Sequence, residues 1–162
     1  MCIIGSNNIK TIKLDTKKGN FIENAQLFEL SKFEVNQFND LEKMINKNNA
    51  IVRTKPTPLY NCHGLTFAAR RTGIFDSKEL KKILRDDVYL EISIDKVLPG
   101  DVIIYYSEDG DFEHSGLIVS EPDNVLKIPR VLSKWGKYCE VIHLANMCPY
   151  SFENAKFYRM MP

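Results

Sequence analysis

Cys62 is the residue around which chemistry most readily gathers in this chain. It stands in Y-N-C-H-G-L-T-F-A (residues 60–68), where the proline-bearing run RTKPTPLYN (residues 53–61) gives way to a helix. Those prolines cannot continue a helix, and each holds its predecessor extended. The helix therefore starts at or near Cys62, and Gly73 is its predicted stop. Unpaired N–H groups and the dipole at a helix start lower a thiol pKa and supply thiolate near neutral pH. The alternative is structural, because cysteine is among the most buried residue types. A nucleophile also needs a base within hydrogen-bond reach and a third group to orient that base. Sequence neighbours on a helix do not face one another, so His63 is a poor base for Cys62 and is expected at the rim or surface. His114 is better placed: it follows the EDGDFE turn and opens the run HSGLIVS. Alternation puts Gly116 on the same side as His114 and leaves room beside the ring; the alternative is a satisfied histidine at a strand end.

The elements that must hold these two residues follow from periodicity. Ile9 to Leu14 alternates weakly, as an edge strand does. Phe38, Leu41, Met44 and Ile45 recur at helical spacing, with Asn36 or Asn39 as the candidate cap. Beyond Gly73, Asp76 and Glu79 form a D-x-x-E variant of the capping box ahead of Leu80, Ile83 and Leu84. From Val88 the period becomes that of strands: VYLEISI, DVIIYYS, HSGLIVS, VLKIPRVLSKW and CEVIHL are separated by PGD, EDGD and EPDN, and FYRM closes the series. The predicted fold class is α+β: N-terminal helices packed on a C-terminal antiparallel sheet in meander order. All 162 residues read as a single domain, with 1–55 an N-terminal extension or accessory part and 56–162 the core.

Composition narrows the function classes. Apolar residues are 44% and charged residues 27%, with 22 Lys and Arg against 21 Asp and Glu, a net charge of +1. No basic footprint for phosphate follows from that balance, so nucleic acid is not an expected partner. No apolar run approaches the ~20 residues of a membrane span, so no membrane partner is expected either. The N-terminal residues lack signal-peptide features, so the chain is expected in the cytoplasm as encoded, or to be exported by a non-classical route. Its four cysteines, Cys2, Cys62, Cys139 and Cys148, are too few and too irregular for a disulfide framework, and are expected reduced.

N-C-H-G-L-T-F-A, then L-P-G-D-V-I-I-Y-Y, then H-S-G-L-I-V-S together resemble the NlpC-like and CHAP-like papain-fold cysteine peptidases and amidases. The resemblance covers roughly residues 60–143, and S-K-W-G followed by V-I-H also looks like cytosolic or toxin-associated relatives of that fold. It implies a papain-like core with Cys62 as nucleophile and His114 as base. It also implies a polar residue on the following strand to orient His114. Ser133 and Lys134 are the reachable polar residues there; Ser133 is preferred to His143, which lies one strand further. The Cys62 N–H is a natural oxyanion donor, with a second from the Tyr60 hydroxyl or the Asn61 amide. Trp135 lines a substrate groove or fills the core.

The expected function is a cysteine-dependent hydrolase cleaving an amide in a peptide, isopeptide or peptidoglycan stem peptide, as in a small effector toxin. Residues 1–50 would shape the substrate path or bind a partner such as a protein inhibitor. An acyltransferase or deamidase uses the same pair, and a non-catalytic binding module uses the same fold. Cys139, His143 and Cys148, with Cys62 or His63, are weighed as a structural zinc set, but no C-x2-C pair supports it. No cofactor and no metal is expected.

Overall fold

The structure, a computed structural model, describes residues 9–162; Cys2 lies outside them. Helix α1 (Lys32–Lys47) turns Ile45, Leu41 and Met44 onto Trp135, Cys139 and Val141. Its cap is neither Asn36 nor Asn39, which lie inside it. Ser31 Oγ accepts from Glu34 N at 3.1 Å and Glu34 Oε2 accepts from Ser31 N at 2.7 Å, a reciprocal capping box. Helix α2 (Cys62–Ala68) ends before Gly73, because Ala69 and Arg70 both adopt positive φ, 48° and 66°. Helix α3 (Ser77–Asp86) starts where Asp76 caps Lys78 N. Glu79 does not close a box there, since its carboxylate accepts from Glu23 N and Lys82 Nζ.

Seven antiparallel strands make one sheet: β1 (Ile51–Val52), β2 (Tyr89–Ile92), β3 (Val102–Tyr106), β4 (Phe112–Ser120), β5 (Arg130–Lys134), β6 (Glu140–Leu144) and β7 (Lys156–Met160). Their order is β1-β6-β5-β4-β3-β7-β2. The expected meander holds for β3 to β6. It fails at β2, whose link to β3 runs through a 3-10 turn at Ile94–Lys96 and the buried Val97, too long for a tight hairpin. The freed edge of β3 takes β7 instead, pinned by a bidentate Arg159–Asp101 pair at 2.9 and 2.7 Å.

The expected strand over Ile9 to Leu14 does not join this sheet. It makes isolated bridges, Lys10 with Gln26 and Asp15 with Phe21, and Asn24 ties it down through Ile12 N and O. Leu14 and Ile22 are nonetheless buried with Ala68, Ile74, Leu80 and Ile83. Residues before 55 therefore share a core with the rest of the chain, and β1 adds a sheet edge.

Register assigns the faces. Tyr105 pairs with His114, Ile103 with Gly116 and Gly116 with Ser133, so these point one way, toward Cys148, Tyr150 and Phe152 of the β6–β7 connection. Ser115 points the other way, toward α2, as do the paired Lys134 and Glu140. Two glycines permit the close approaches: a Cβ on Gly64 would lie 1.9 Å from Thr72 O, and one on Gly116 would lie 2.5 Å from Val131 Cγ1. The obstacle at Gly64 is backbone and cannot swing away. Gly64→Ala is accordingly expected to lower unfolding free energy by about 1–3 kcal/mol in urea titrations. A change below about 0.5 kcal/mol, the level of an ordinary surface substitution, would contradict this packing.

Candidate active site

α2 packs across β4 and β5, so the strand carrying His114 is also the one against which the Cys62 helix rests. Asn61 caps α2: its Oδ1 accepts from Gly64 N at 2.9 Å and Ile74 N at 3.1 Å, while its amide donates to Ile74 O at 2.7 Å. One amide N–H of Asn61 is thereby committed to Ile74 O, and its carbonyl oxygen is shared by two backbone donors. The Tyr60 hydroxyl is engaged as well, donating to Glu140 Oε1 at 2.6 Å. Arg70 completes that carboxylate with bonds of 2.5 and 3.0 Å. Burial pushes the Glu140 carboxyl up, but Arg70 and Tyr60 more than reverse this and hold it below its ordinary value.

Cys62 is 7% exposed. The main-chain N–H groups of Ser115, His63 and Cys62 itself, with the charge of Lys134, favour its thiolate; burial outweighs them and pushes the thiol up to about 11. The lowered thiol pKa expected from the helix start is therefore reversed, because the helix end lies against the sheet rather than facing water.

A bulge brings His114 to its face. Tyr106 pairs with Phe112 and Tyr105 with His114, leaving Glu113 as the extra residue immediately before the histidine. The β4–β5 ladder stops at Gly116–Ser133, so His114 lies past its end. The ring is fully buried and stacks on Tyr150, centroids 4.0 Å apart and planes within 9°. Among the described residues, both of its nitrogens lack a hydrogen-bond partner. No hydrogen bond joins it to Cys62 in this conformation. Burial, then repulsion from His143 and His63, holds the imidazole well below its usual pKa. Burial first, and then the Cys62 thiol, raises the Tyr150 hydroxyl above its ordinary value.

Ser133 and His143, the two candidates for orienting His114, bond to each other instead. Leu144 O, 2.8 Å from His143 Nδ1, can only accept, so Nδ1 carries the proton and Nε2 accepts from Ser133 Oγ at 2.7 Å. Trp135 Nε1 donates to the same serine at 3.2 Å. Trp135 itself fills the core at 1% exposure, and also floors a groove of about 430 Å³ lined with Phe38, Leu41, Pro149 and Tyr150. A larger cavity of about 610 Å³, between Tyr106, Gly110 and Asn154, holds no cysteine or histidine.

His63 is not at the surface; it is 5% exposed. Thr66 Oγ1 donates to Cys62 O at 2.9 Å, so it accepts from Ser115 Oγ at 3.0 Å. Ser115 Oγ must then accept from His63 Nδ1 at 2.8 Å, which fixes the protonated nitrogen. The expected rim position fails because the sheet covers this end of α2 and Ser115 of β4 meets the ring. Tyr150, Arg70 and Glu140 are site residues the sequence did not reveal, being brought in by pairings distant in the chain. No three His, Cys, Asp or Glu side chains among the described residues converge as metal ligands. No described helix is long and apolar enough to cross a membrane. No family model, no curated protein and no solved structure matches this chain.

Burial lowers His63 and His143 each to about 4. A group whose folded pKa lies below its unfolded value of about 6.5 stabilises the fold above 6.5, and loses that contribution as pH falls toward 4. Unfolding free energy is therefore expected to fall by about 2 kcal/mol for each of the two histidines between pH 7 and pH 5. His63→Gln should lose correspondingly less over that interval in urea titrations. An unchanged pH slope in that variant would show His63 to be accessible.

Proposed function

We propose that this chain is a cysteine-dependent amide hydrolase with a papain-like core of the NlpC type, Cys62 acting as nucleophile and His114 as base. The observation that carries the reading is the unpartnered, fully buried His114 ring on the strand against which the Cys62 helix packs. Leaving a buried polar group unpaired costs about 1–3 kcal/mol, and a ring held that way has both nitrogens open to a proton in transit. The order of the nucleophile helix, the strand bearing the base and the antiparallel meander supports the same reading.

In this chemistry, displacement of Tyr150 admits the substrate amide. His114 takes the thiol proton as sulfur attacks the carbonyl carbon, and the Cys62 N–H donates to the developing oxyanion. His114 then gives its proton to the departing amine as the C–N bond breaks. Water, deprotonated by His114, cleaves the thioester. The raised thiol makes proton transfer follow substrate arrival rather than precede it. Peptide and isopeptide bonds are the substrate class, and the Trp135 groove beneath α1 is the path to Tyr150.

The test is alkylation by iodoacetamide, resolved by peptide mass spectrometry for each cysteine. Cys62 is expected to react slowly at pH 7 in the native chain and at least ~tenfold faster in Tyr150→Ala, where the cover is gone. His114→Ala in that background should abolish the gain. If Cys62 in Tyr150→Ala reacts no faster than Cys148, or is indifferent to His114, the pair does not exist and the fold is a binding module.

A further inference from the structure

Lys134 is the only buried Lys or Arg among the described residues, with no exposed surface at all. Its ammonium donates to Thr57 O at 2.7 Å and Gly136 O at 2.8 Å, and lies 5.2 Å from the centre of the Tyr60 ring. Two of its three N–H groups are thus accounted for by carbonyl oxygens, and the third has no hydrogen-bond partner among the described residues. Glu140 is its cross-strand neighbour, yet the Glu140 oxygens are taken by Arg70 and Tyr60, and no ion pair joins it to Lys134. Arg70 and Glu140 cancel, so the cluster carries one surplus positive charge. A buried cation without its own anion costs several kcal/mol, which a site recovers only when an anion arrives. The ring against which the ammonium lies belongs to Tyr60, two residues before Cys62.

We propose that Lys134 is the anion-stabilising residue of the Cys62 site. Its free N–H and its charge face the negative charge that forms there, first on sulfur and then on the oxygen of the tetrahedral adduct. This rests on the reading of Cys62 as nucleophile. When sulfur attacks, the C–S bond forms and the carbonyl π pair moves onto oxygen. Lys134 holds that oxygen by hydrogen bond and charge without giving up a proton, while the thiol proton goes to His114. On collapse the pair returns to the carbonyl, the C–N bond breaks, and His114 protonates the amine. With the Tyr60 hydroxyl committed to Glu140, Lys134 fills the second oxyanion position.

Charge selectivity of alkylation tests this. At pH 7 the rate of Cys62 with iodoacetate, divided by that with iodoacetamide, is measured in the native chain and in Tyr150→Ala, and normalised to free cysteine. A facing cation should raise the normalised ratio about fivefold or more. Lys134→Gln, which keeps an amide donor for the two carbonyls, should return it to that of free cysteine; Lys134→Arg should preserve it. The ratio should survive His114→Ala, which excludes an imidazolium as its source. A ratio lost in His114→Ala but kept in Lys134→Gln overturns the inference and leaves the nucleophile intact. No reaction at Cys62 in either background removes the nucleophile reading, and this inference with it. Should the Lys134 variants not fold, the native chain carries the test. The Lys134 side-chain carbon resonance, titrated after carboxymethylation of Cys62, should show a midpoint about one pH unit or more above that of the neutral carbamidomethyl adduct. Equal midpoints overturn it.

Discussion

A buried carboxylate fixes where the Cys62 end of α2 sits. Glu140, on β6, is 2% exposed and accepts from the Tyr60 hydroxyl and from Nε and Nη2 along one edge of the Arg70 guanidinium. Tyr60 precedes α2 by two residues and Arg70 follows its last residue by two, so one carboxylate ties both ends of the helix to one point on the sheet. Arg70 reaches it only because Ala69 and Arg70 adopt left-handed backbone, a conformation unfavourable for residues with a Cβ. The bidentate pair offsets that cost. Losing Arg70 would leave the buried Glu140 carboxylate without its cation, whereas the half-exposed Arg70 side chain could turn to water if Glu140 were lost. Cys62 therefore has little freedom to move relative to β5 and β6.

That fixed placement decides the electrostatics around the sulfur. The helix start offers N–H groups, as its sequence implies, but presses them against β4 where water is excluded. Desolvation of the thiolate then outweighs the donors. The same exclusion keeps His114, His63 and His143 neutral, and drives the Lys134 ammonium down to about 8. At rest the neighbourhood holds a neutral thiol, neutral imidazoles and one surplus cation. Such an arrangement is poised for charge to form on the sulfur side rather than already holding a thiolate–imidazolium pair. Tyr150 maintains it by covering the His114 ring.

Local signals read well from the sequence, and long-range ones did not. Valine, isoleucine and tyrosine runs between turn clusters located β2 to β7, and the proline run located the start of α2. Ser31 and Glu34 form a legible S-x-x-E box, but the apolar spacing that marks the helix begins only at Phe38, two turns inside it. The two-residue β1 is too short to carry any period, and the insertion of β7 depends on Arg159 finding Asp101 across 58 residues. His63 and Tyr150 were missed for one reason: what buries each comes from an element whose docking periodicity does not encode. Cys62 and His114 could be named because helix-start and strand-start contexts are local. The fate of Ser133 and His143 could not be read, since it turns on which nitrogen of His143 meets Leu144 O.

Two features of the site weaken the fold that contains them. Among the described residues, the His114 ring has no partner for either nitrogen and Lys134 has no carboxylate of its own. A buried histidine of this kind contributes no hydrogen bond that an apolar ring would lose, whereas Lys134 at least binds two carbonyl oxygens. Other buried polar side chains of the described chain are matched: Asn24 with Ile12 and Thr72, Asp101 with Arg159, Ser133 with His143. The two exceptions lie on opposite faces of the sheet, near the open end of the β4–β5 ladder, with Tyr150 stacked on His114 and the Tyr60 ring beside the Lys134 ammonium. A buried imidazole without a partner and a buried ammonium without a carboxylate, one on each face of the sheet, are costs that nothing else in the described core offsets locally.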